Sequence, residues 1–260
     1  MEARLPSRKL EFLSSLLSQW KSKTHCTLLE LQELTGYLQF CSQVIPYSHA
    51  FLCSFFDFTS TFKCDFSRRR IPRSTRRDLK WWITYSSSWN GIHFMAPTRP
   101  VIHIYTDASS TKGAGGIFNS SWFSIRIPRR YSKHDIKWKE FYAVIHAILC
   151  WGPEFRHKHI IFHTNNTNVY SAIKELSIRS SPMMELVHQF LGLASILDFT
   201  FTPNWIPTEQ NTLADAASRF QLNLLFSLAP YLSRKPSPKV LSLKCLSKPI
   251  HSCPPITLSL

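Results

Sequence analysis

Between residues 100 and 220 the chain carries few acids, so the place of each one is informative. Asp107 ends a β-type run, Val101-Ile102-His103-Ile104-Tyr105-Thr106. Glu140 falls at the start of an apolar-periodic stretch, within Trp138-Lys139-Glu140, and Asp215 falls within Ala214-Asp215-Ala216-Ala217-Ser218-Arg219. Taken singly, each has an ordinary reading: Asp107 as a turn cap, Glu140 and Asp215 as helix surface residues. Asp135 and Asp198 read as surface or loop acids. Taken jointly, the three suit metal chemistry. Carboxylates crowded together raise one another's pKa unless a cation intervenes. Mg²⁺ prefers carboxylates, water and phosphate oxygens. Two such ions about 3.5–4 Å apart activate a water and stabilise the leaving oxygen of a phosphodiester.

The surrounding pattern predicts how these acids are positioned. After the first strand, Gly113, Gly115 and Gly116 suit a hairpin and a strand that another backbone approaches closely. Gly116-Ile117-Phe118 and Trp122-Phe123-Ser124-Ile125 complete a meander. A helix follows from about Lys137 to Trp151, with Phe141, Val144, Ile145 and Ile148 on one face. His159-Ile160-Ile161-Phe162-His163 is a short buried strand leading to Asn165 and a helix with Val169, Ile173 and Leu176. A helix over Pro182 to Leu197, a strand over Phe199 to Ile206 and a last helix from Asn211 complete the order β-β-β-α-β-α-α-β-α. Hairpins followed by helical crossovers make an α/β fold, a mixed five-stranded sheet flanked by helices. With the first and fourth strands as neighbours, Asp107, Glu140 and Asp215 converge at one sheet edge.

Upstream, residues 1–66 read as a small helical region. Leu10, Leu13, Leu17 and Trp20 recur at helical spacing, with Leu16 widening the stripe. Thr27-Leu28-Leu29-Glu30 matches a capping box, and Leu28, Leu31, Leu34 and Leu38 form one face after it. Val44 to Phe62 is aromatic-rich and expected to pack on these helices. Residues 67–99 read as a basic linker or connection. Arg68, Arg69, Arg70, Arg73, Arg76 and Arg77 fall there within ten residues. They form either a solvated charge run or a phosphate-binding stretch. Asp78-Leu79-Lys80-Trp81-Trp82 reads as a short helix; Trp81, Trp82 and Trp89 suit core packing better than base stacking. Residues 100–220 form the sheet domain. Residues 221–260, rich in Ser, Pro, Lys and Leu without periodicity, read as a weakly ordered tail.

Composition narrows the partners. With 31 Lys+Arg against 16 Asp+Glu, the chain carries a formal charge of +15, which favours a polyanion through counterion release. A hydrophobic fraction of 44% permits a packed core and argues against global disorder. The seven cysteines form no CxxC pair and no His/Cys cluster of zinc spacing, so they read as reduced thiols. Met1-Glu2-Ala3-Arg4-Leu5-Pro6 is followed by no secretory h-region, and no run long enough to span a membrane occurs. An intracellular location, nuclear or cytoplasmic, and no membrane partner are expected.

At four places in order the sequence resembles the RNase H domain of retroelement reverse transcriptases, those of tyrosine-recombinase (DIRS-type) retrotransposons in particular. These are Ile104-Tyr105-Thr106-Asp107-Ala108-Ser109, Trp138-Lys139-Glu140, His163-Thr164-Asn165-Asn166 and Asn211-Thr212-Leu213-Ala214-Asp215-Ala216-Ala217-Ser218-Arg219. Leu31-Gln32-Glu33-Leu34-Thr35-Gly36-Tyr37-Leu38-Gln39-Phe40 resembles the thumb or connection that follows the polymerase palm. Asp78-Leu79-Lys80-Trp81-Trp82 and Trp89-Asn90-Gly91 resemble the connection before the RNase H domain. The resemblance implies an RNase H-like fold, four acids in the order Asp, Glu, Asp, Asp, two Mg²⁺ ions, and hydrolysis of the RNA strand of RNA/DNA hybrids. Asp107, Glu140 and Asp215 match as catalytic and metal-binding positions. The third acid falls on Asn165, which can offer an amide oxygen but no charge, and no carboxylate stands near it between His163 and Val169. Metal binding is expected to weaken accordingly.

No polymerase Tyr-x-Asp-Asp motif occurs in the chain. The missing polymerase portion of a reverse transcriptase is therefore an expected partner, alongside an RNA/DNA hybrid. Three functions are open at this point: a hybrid-dependent endoribonuclease with impaired catalysis, an inert nucleic-acid-binding module, and a nonfunctional fragment of a decayed element.

Overall fold

The computed structural model describes residues 2–45, 47–86, 92–94, 98–178 and 181–241. Backbone contacts divide the chain into two units, the second running from Thr98 to Leu246.

The first unit is built on helices α1 (Ser7–Lys21), α2 (Leu28–Cys41), α3 (Cys53–Thr59) and α4 (Arg73–Ser86). Two small antiparallel pairs accompany them: β1 (Glu2–Arg4) with β4 (Ile92–Phe94), and β2 (His25–Cys26) with β3 (Arg69–Arg70). The expected apolar stripe of α1 is buried at Leu13, Leu16, Leu17 and Trp20. The capping box of α2 is formed. The Glu30 amide donates to Thr27 Oγ1 at 3.3 Å and the Thr27 amide to Glu30 Oε2 at 2.9 Å. Leu31, Leu34 and Leu38 bury the face that follows.

The stretch expected to be a basic linker belongs to this unit as far as Ser86. Helix α4 starts at Arg73, ahead of the expected Asp78, because Thr75, Asp78, Leu79 and Trp82 form its buried face. Asp78 accepts from Ser54 Oγ at 2.6 Å, and Trp82 Nε1 donates to the Phe51 carbonyl at 3.2 Å. Trp81 stacks on Phe51 with centroids 3.9 Å apart. Both tryptophans therefore pack against protein, as the composition suggested; Trp89, with Asn90 and Gly91, lies outside the described residues.

The second unit holds β5 (Val101–Ala108), β6 (Gly113–Phe118), β7 (Ser121–Arg126), α5 (Ile136–Phe155), β8 (His159–Thr164), α6 (Thr167–Glu175), α7 (Ser181–Leu197), β9 (Thr200–Trp205), α8 (Thr212–Ser218) and α9 (Leu222–Leu228). The five strands lie in the order β7-β6-β5-β8-β9. The first three are antiparallel neighbours, and β8 and β9 run parallel to β5 and to each other. This is the mixed sheet flanked by helices that the sequence leads one to expect. Helix α5 is longer than expected at both ends. It lies against the inward residues Ile104, Ile160 and Phe162, and Phe155, Phe190 and Phe199 close around Phe162.

The opposite face of the sheet receives α8. Gly115, paired with Asp107 across β5 and β6, makes this possible. A Cβ at Gly115 would lie 2.7 Å from the Ala217 carbonyl carbon and would also strike the Ser218 amide. A side chain there would push the helix off the strand.

The tail departs from expectation. Instead of a weakly ordered segment, residues 221–241 pack against the sheet; residues 242–260 lie outside the described residues. Leu225, Ala229 and Leu232 join Ile117, Trp122, Ala214, Ala216 and Ala217 in one buried cluster. The chain then crosses the β7 edge. The Ser233 amide donates to the Ser120 carbonyl at 2.8 Å, the Ser237 amide to the Trp122 carbonyl at 2.7 Å, and the Leu241 amide to the Leu149 carbonyl at 2.9 Å. Trp122 and Trp151 donate their indole N–H groups to the Ser233 carbonyl and to Ser237 Oγ. An otherwise open edge strand is thereby covered.

Among the described residues no helix is long and apolar enough to cross a membrane. Cys26, Cys41, Cys64 and Cys150 are free thiols.

Leu225→Ala tests the role of the tail. Truncating a fully buried leucine costs about 2–5 kcal/mol, so denaturant unfolding should show a loss in that range. A change near zero would mean that the tail contributes nothing to the fold.

Candidate functional site

Four segments meet where β5 ends. Asp107 is carried there by the strand and is 3% exposed. Glu140 arrives on α5, whose first turn is fixed by Asp135: its side chain accepts from the Trp138 amide at 3.1 Å. Asp135 is thus a helix cap. Glu140 is 5% exposed and its Oε2 accepts from the Ala108 amide at 3.1 Å, which ties the helix to the strand end. Lys139 Nζ donates to the Ser110 carbonyl at 2.6 Å and fastens the same loop. Asn165 follows β8 directly. Helix α8 brings Asp215 and Ser218, one turn apart.

The structure brings these residues near one another. Glu140 senses the charges of both Asp107 and Asp215, and Asp107 senses Asp215 and interacts with the Asn165 side chain. Ser218 Oγ donates to Asp107 Oδ2 at 2.6 Å. Arg219 Nε pairs with Asp215 Oδ1 at 2.7 Å, one helical turn on. Asn165 Nδ2 donates to Thr208 Oγ1 at 3.3 Å, and its carbonyl accepts from Trp205 Nε1 at 3.2 Å. Asn165 Oδ1 is buried without a partner among the described residues. Ser218, Arg219, Thr208 and Trp205 had not been singled out. Ser218 and Arg219 stand three and four residues after Asp215, the helical spacing that puts side chains on one face. Asp198 is absent from this group; it pairs with Arg99 at 3.0 Å and with His157 at 2.7 Å.

Electrostatically the site is strained toward neutrality. Burial pushes the Glu140 carboxyl well above the usual carboxylate range, and the Asp107 charge adds to this against the opposing Ala108 hydrogen bond. Burial also raises Asp107, partly offset by Ser218, while the Asp215 charge reinforces the rise. The guanidinium of Arg219 is in turn held in its charged form by Asp215.

Carboxylates and an amide oxygen are the hard donors that Mg²⁺ takes, so the kind of ligand fits. The arrangement does not. Among the described residues no three His, Cys, Asp or Glu side chains stand where they could hold one ion. Asp215 is engaged by a cation, Asp107 by a hydroxyl and Glu140 by an amide, and the remaining position offers an uncharged oxygen. The two-ion ligand set expected of Asp107, Glu140 and Asp215 is not assembled in this arrangement.

The arginine stretch lies in the first unit. Arg68, Arg69, Arg70, Arg73 and Arg77 are exposed and Arg76 is half-buried. Arg69 donates to the Thr61 carbonyl and Arg76 to the Thr24 carbonyl. Among the described residues the one ion pair in the stretch joins Arg77 to Asp78. The positive charge is largely uncompensated.

No protein-family model matches the chain, and no curated protein matches it. Among solved structures the chain is similar to LC11-RNase H1, isolated from compost by a metagenomic approach. Identity there is 12%, the match covers 48% of this chain and 96% of that one, and the TM-score is 0.36. A structure of LC11-RNase H1 in complex with an RNA/DNA hybrid matches with 12% identity over 47% of this chain and 98% of that one, at a TM-score of 0.37. The fold described above rests on strand order and register alone.

The raised Glu140 pKa has a stability consequence. An acid whose folded pKa is raised supports stability below its unfolded pKa and loses that support as pH rises through the folded value. Glu140→Gln keeps an acceptor for the Ala108 amide and removes the buried charge. Its Tm at pH 8 should exceed that of the natural chain by about 2–4 °C, the effect of ~1 kcal/mol in a domain of this size. The difference should shrink toward pH 4 in thermal melts. A difference independent of pH would contradict the assignment.

Proposed function

We propose that this chain is an RNase H-type fragment of a retroelement reverse transcriptase, of the tyrosine-recombinase (DIRS-type) group, in which two-metal hydrolysis of RNA in RNA/DNA hybrids is impaired. The observation that carries the reading is the environment of Asn165. It follows β8 directly and interacts with Asp107, which senses the charge of Asp215, and its buried Oδ1 lacks a partner among the described residues. In this reading Asp107 and Asp215 are the metal-facing carboxylates, Glu140 orients them, and Asn165 fills a position built for a charge. The amide makes the cluster tolerable without metal, since a fourth carboxylate beside Asp107 would raise the repulsion further. The chain would act inside the cell, next to the polymerase portion of its element.

A second reading, an inert nucleic-acid-binding module, is favoured by the exposed Arg68, Arg69, Arg70, Arg73 and Arg77. Binding through such a stretch is salt-sensitive and needs no metal.

The test compares the natural chain with Asn165→Asp on a labelled RNA/DNA hybrid. The variant should cut in Mg²⁺, faster than the natural chain by on the order of 10–100-fold or more, the scale set by groups that support metal ligands. Without Mg²⁺ the variant should melt lower than the natural chain, and Mg²⁺ should restore it. If neither protein cuts while both bind the hybrid with a steep salt dependence, the binding-module reading replaces this one. If the natural chain cuts as well as the variant, Asn165 is no impairment.

A further inference from the structure

On the sheet face that carries α8, a cleft opens beside His103 and Tyr105. It encloses about 370 Å³, within the range of small-molecule sites, about 300–1,000 Å³. None of the carboxylates discussed above lines it. Its walls carry the amides of Asn119, Gln210 and Asn211 and the rings of His103, Tyr105 and Tyr231, with no Lys, Arg, Asp or Glu among the described lining residues.

Two features make the walls a built surface. The His103 and Tyr105 side is braced from behind. His103 Nδ1 and His163 Nε2 share a hydrogen bond of 2.9 Å, Tyr105 stacks on His163 with centroids 4.2 Å apart, and His163 is held in turn by Asn204 at 3.0 Å. Asn211 is fixed by its Nδ2, which donates to the Thr106 carbonyl at 3.0 Å, while its Oδ1 has no partner among the described residues. Asn211 is 1% exposed. Buried acceptors are nearly always satisfied by protein, water or ligand. Tyr231, on the tail, also lines the cleft and is 63% exposed.

Amides can match both donors and acceptors of a heterocycle edge, rings supply stacking, and a lining without Lys or Arg offers little to a phosphate or carboxylate. We propose that this cleft holds a single unpaired nucleobase, from the single-stranded part of a nucleic acid bound by the strongly basic chain. The proposal shares with the proposed function only the premise of nucleic-acid binding and is independent of catalysis.

The experiment measures affinity of the full chain, by fluorescence anisotropy, for a blunt RNA/DNA hybrid and for the same hybrid with a short overhang containing 4-thiouridine. Photocrosslinked residues are then mapped by mass spectrometry. The overhang should tighten binding, free uridine should compete with that gain, and crosslinks should fall on Tyr231 or Tyr105. Tyr231→Ala, at an exposed position, should reduce the gain by about tenfold, the scale of one base–aromatic stack, and leave blunt-hybrid affinity unchanged. Gln210→Ala should reduce it less. Equal affinity for both hybrids, or crosslinks confined to other residues, would overturn this proposal alone. Failure of both hybrids to bind would overturn it together with the nucleic-acid reading of the chain.

Discussion

A helix backbone can touch a strand only where the strand offers no side chain, and Gly115 supplies that gap beneath α8. Through it the Ala217 and Ser218 backbone comes down on β6 directly beside Asp107. The consequences run outward from this contact. Ser218 reaches Asp107, Asp215 is brought within the electrostatic range of Glu140, and Ala214, Ala216 and Ala217 form the surface on which Leu225, Ala229 and Leu232 close. Small residues on α8 and a glycine on β6 are one device: overpacking at either would cost on the order of 1–3 kcal/mol and would separate the acids as well.

Having drawn the acids together, the protein has to manage their charge. Like charges at contact distance in a partly buried site repel strongly. The structure answers with a guanidinium on Asp215, a hydroxyl on Asp107, a backbone amide on Glu140, and a neutral amide at Asn165. Glu140 and Asp107 are biased toward their protonated forms by the same burial. A site arranged for divalent cations leaves carboxylates charged and their oxygens available. Here Arg219, Ser218 and the Ala108 amide engage the oxygens of Asp215, Asp107 and Glu140.

Much of this was legible in the sequence, where the signal was local. The capping box at Thr27, the glycine-marked hairpin after Asp107 and the short runs around Asp107, Glu140 and Asp215 each announce themselves within a few residues. What escaped depends on distant partners. Helix α4 begins among arginines that repel one another, and it forms because Asp78 finds Ser54 and Trp82 finds Phe51. The tail's buried Leu225, Ala229 and Leu232 are masked by exposed Leu222, Leu224 and Leu228, so no apolar face stands out. The tail is held partly by Trp122 and Trp151, whose indole N–H groups donate to its Ser233 and Ser237. The roles of Ser218 and Arg219 were hidden in plain view, inside a stretch valued for Asp215 alone.

Under the proposed function, divalent-cation binding is impaired because Asn165 brings no charge and the three carboxylates are engaged by protein groups. A calorimetric titration of the chain with Mg²⁺, in the absence of nucleic acid, addresses it most directly. The account predicts weak binding that does not saturate in the low millimolar range, and a visible gain in Asn165→Asp. Saturable binding of two ions by the natural chain would contradict it.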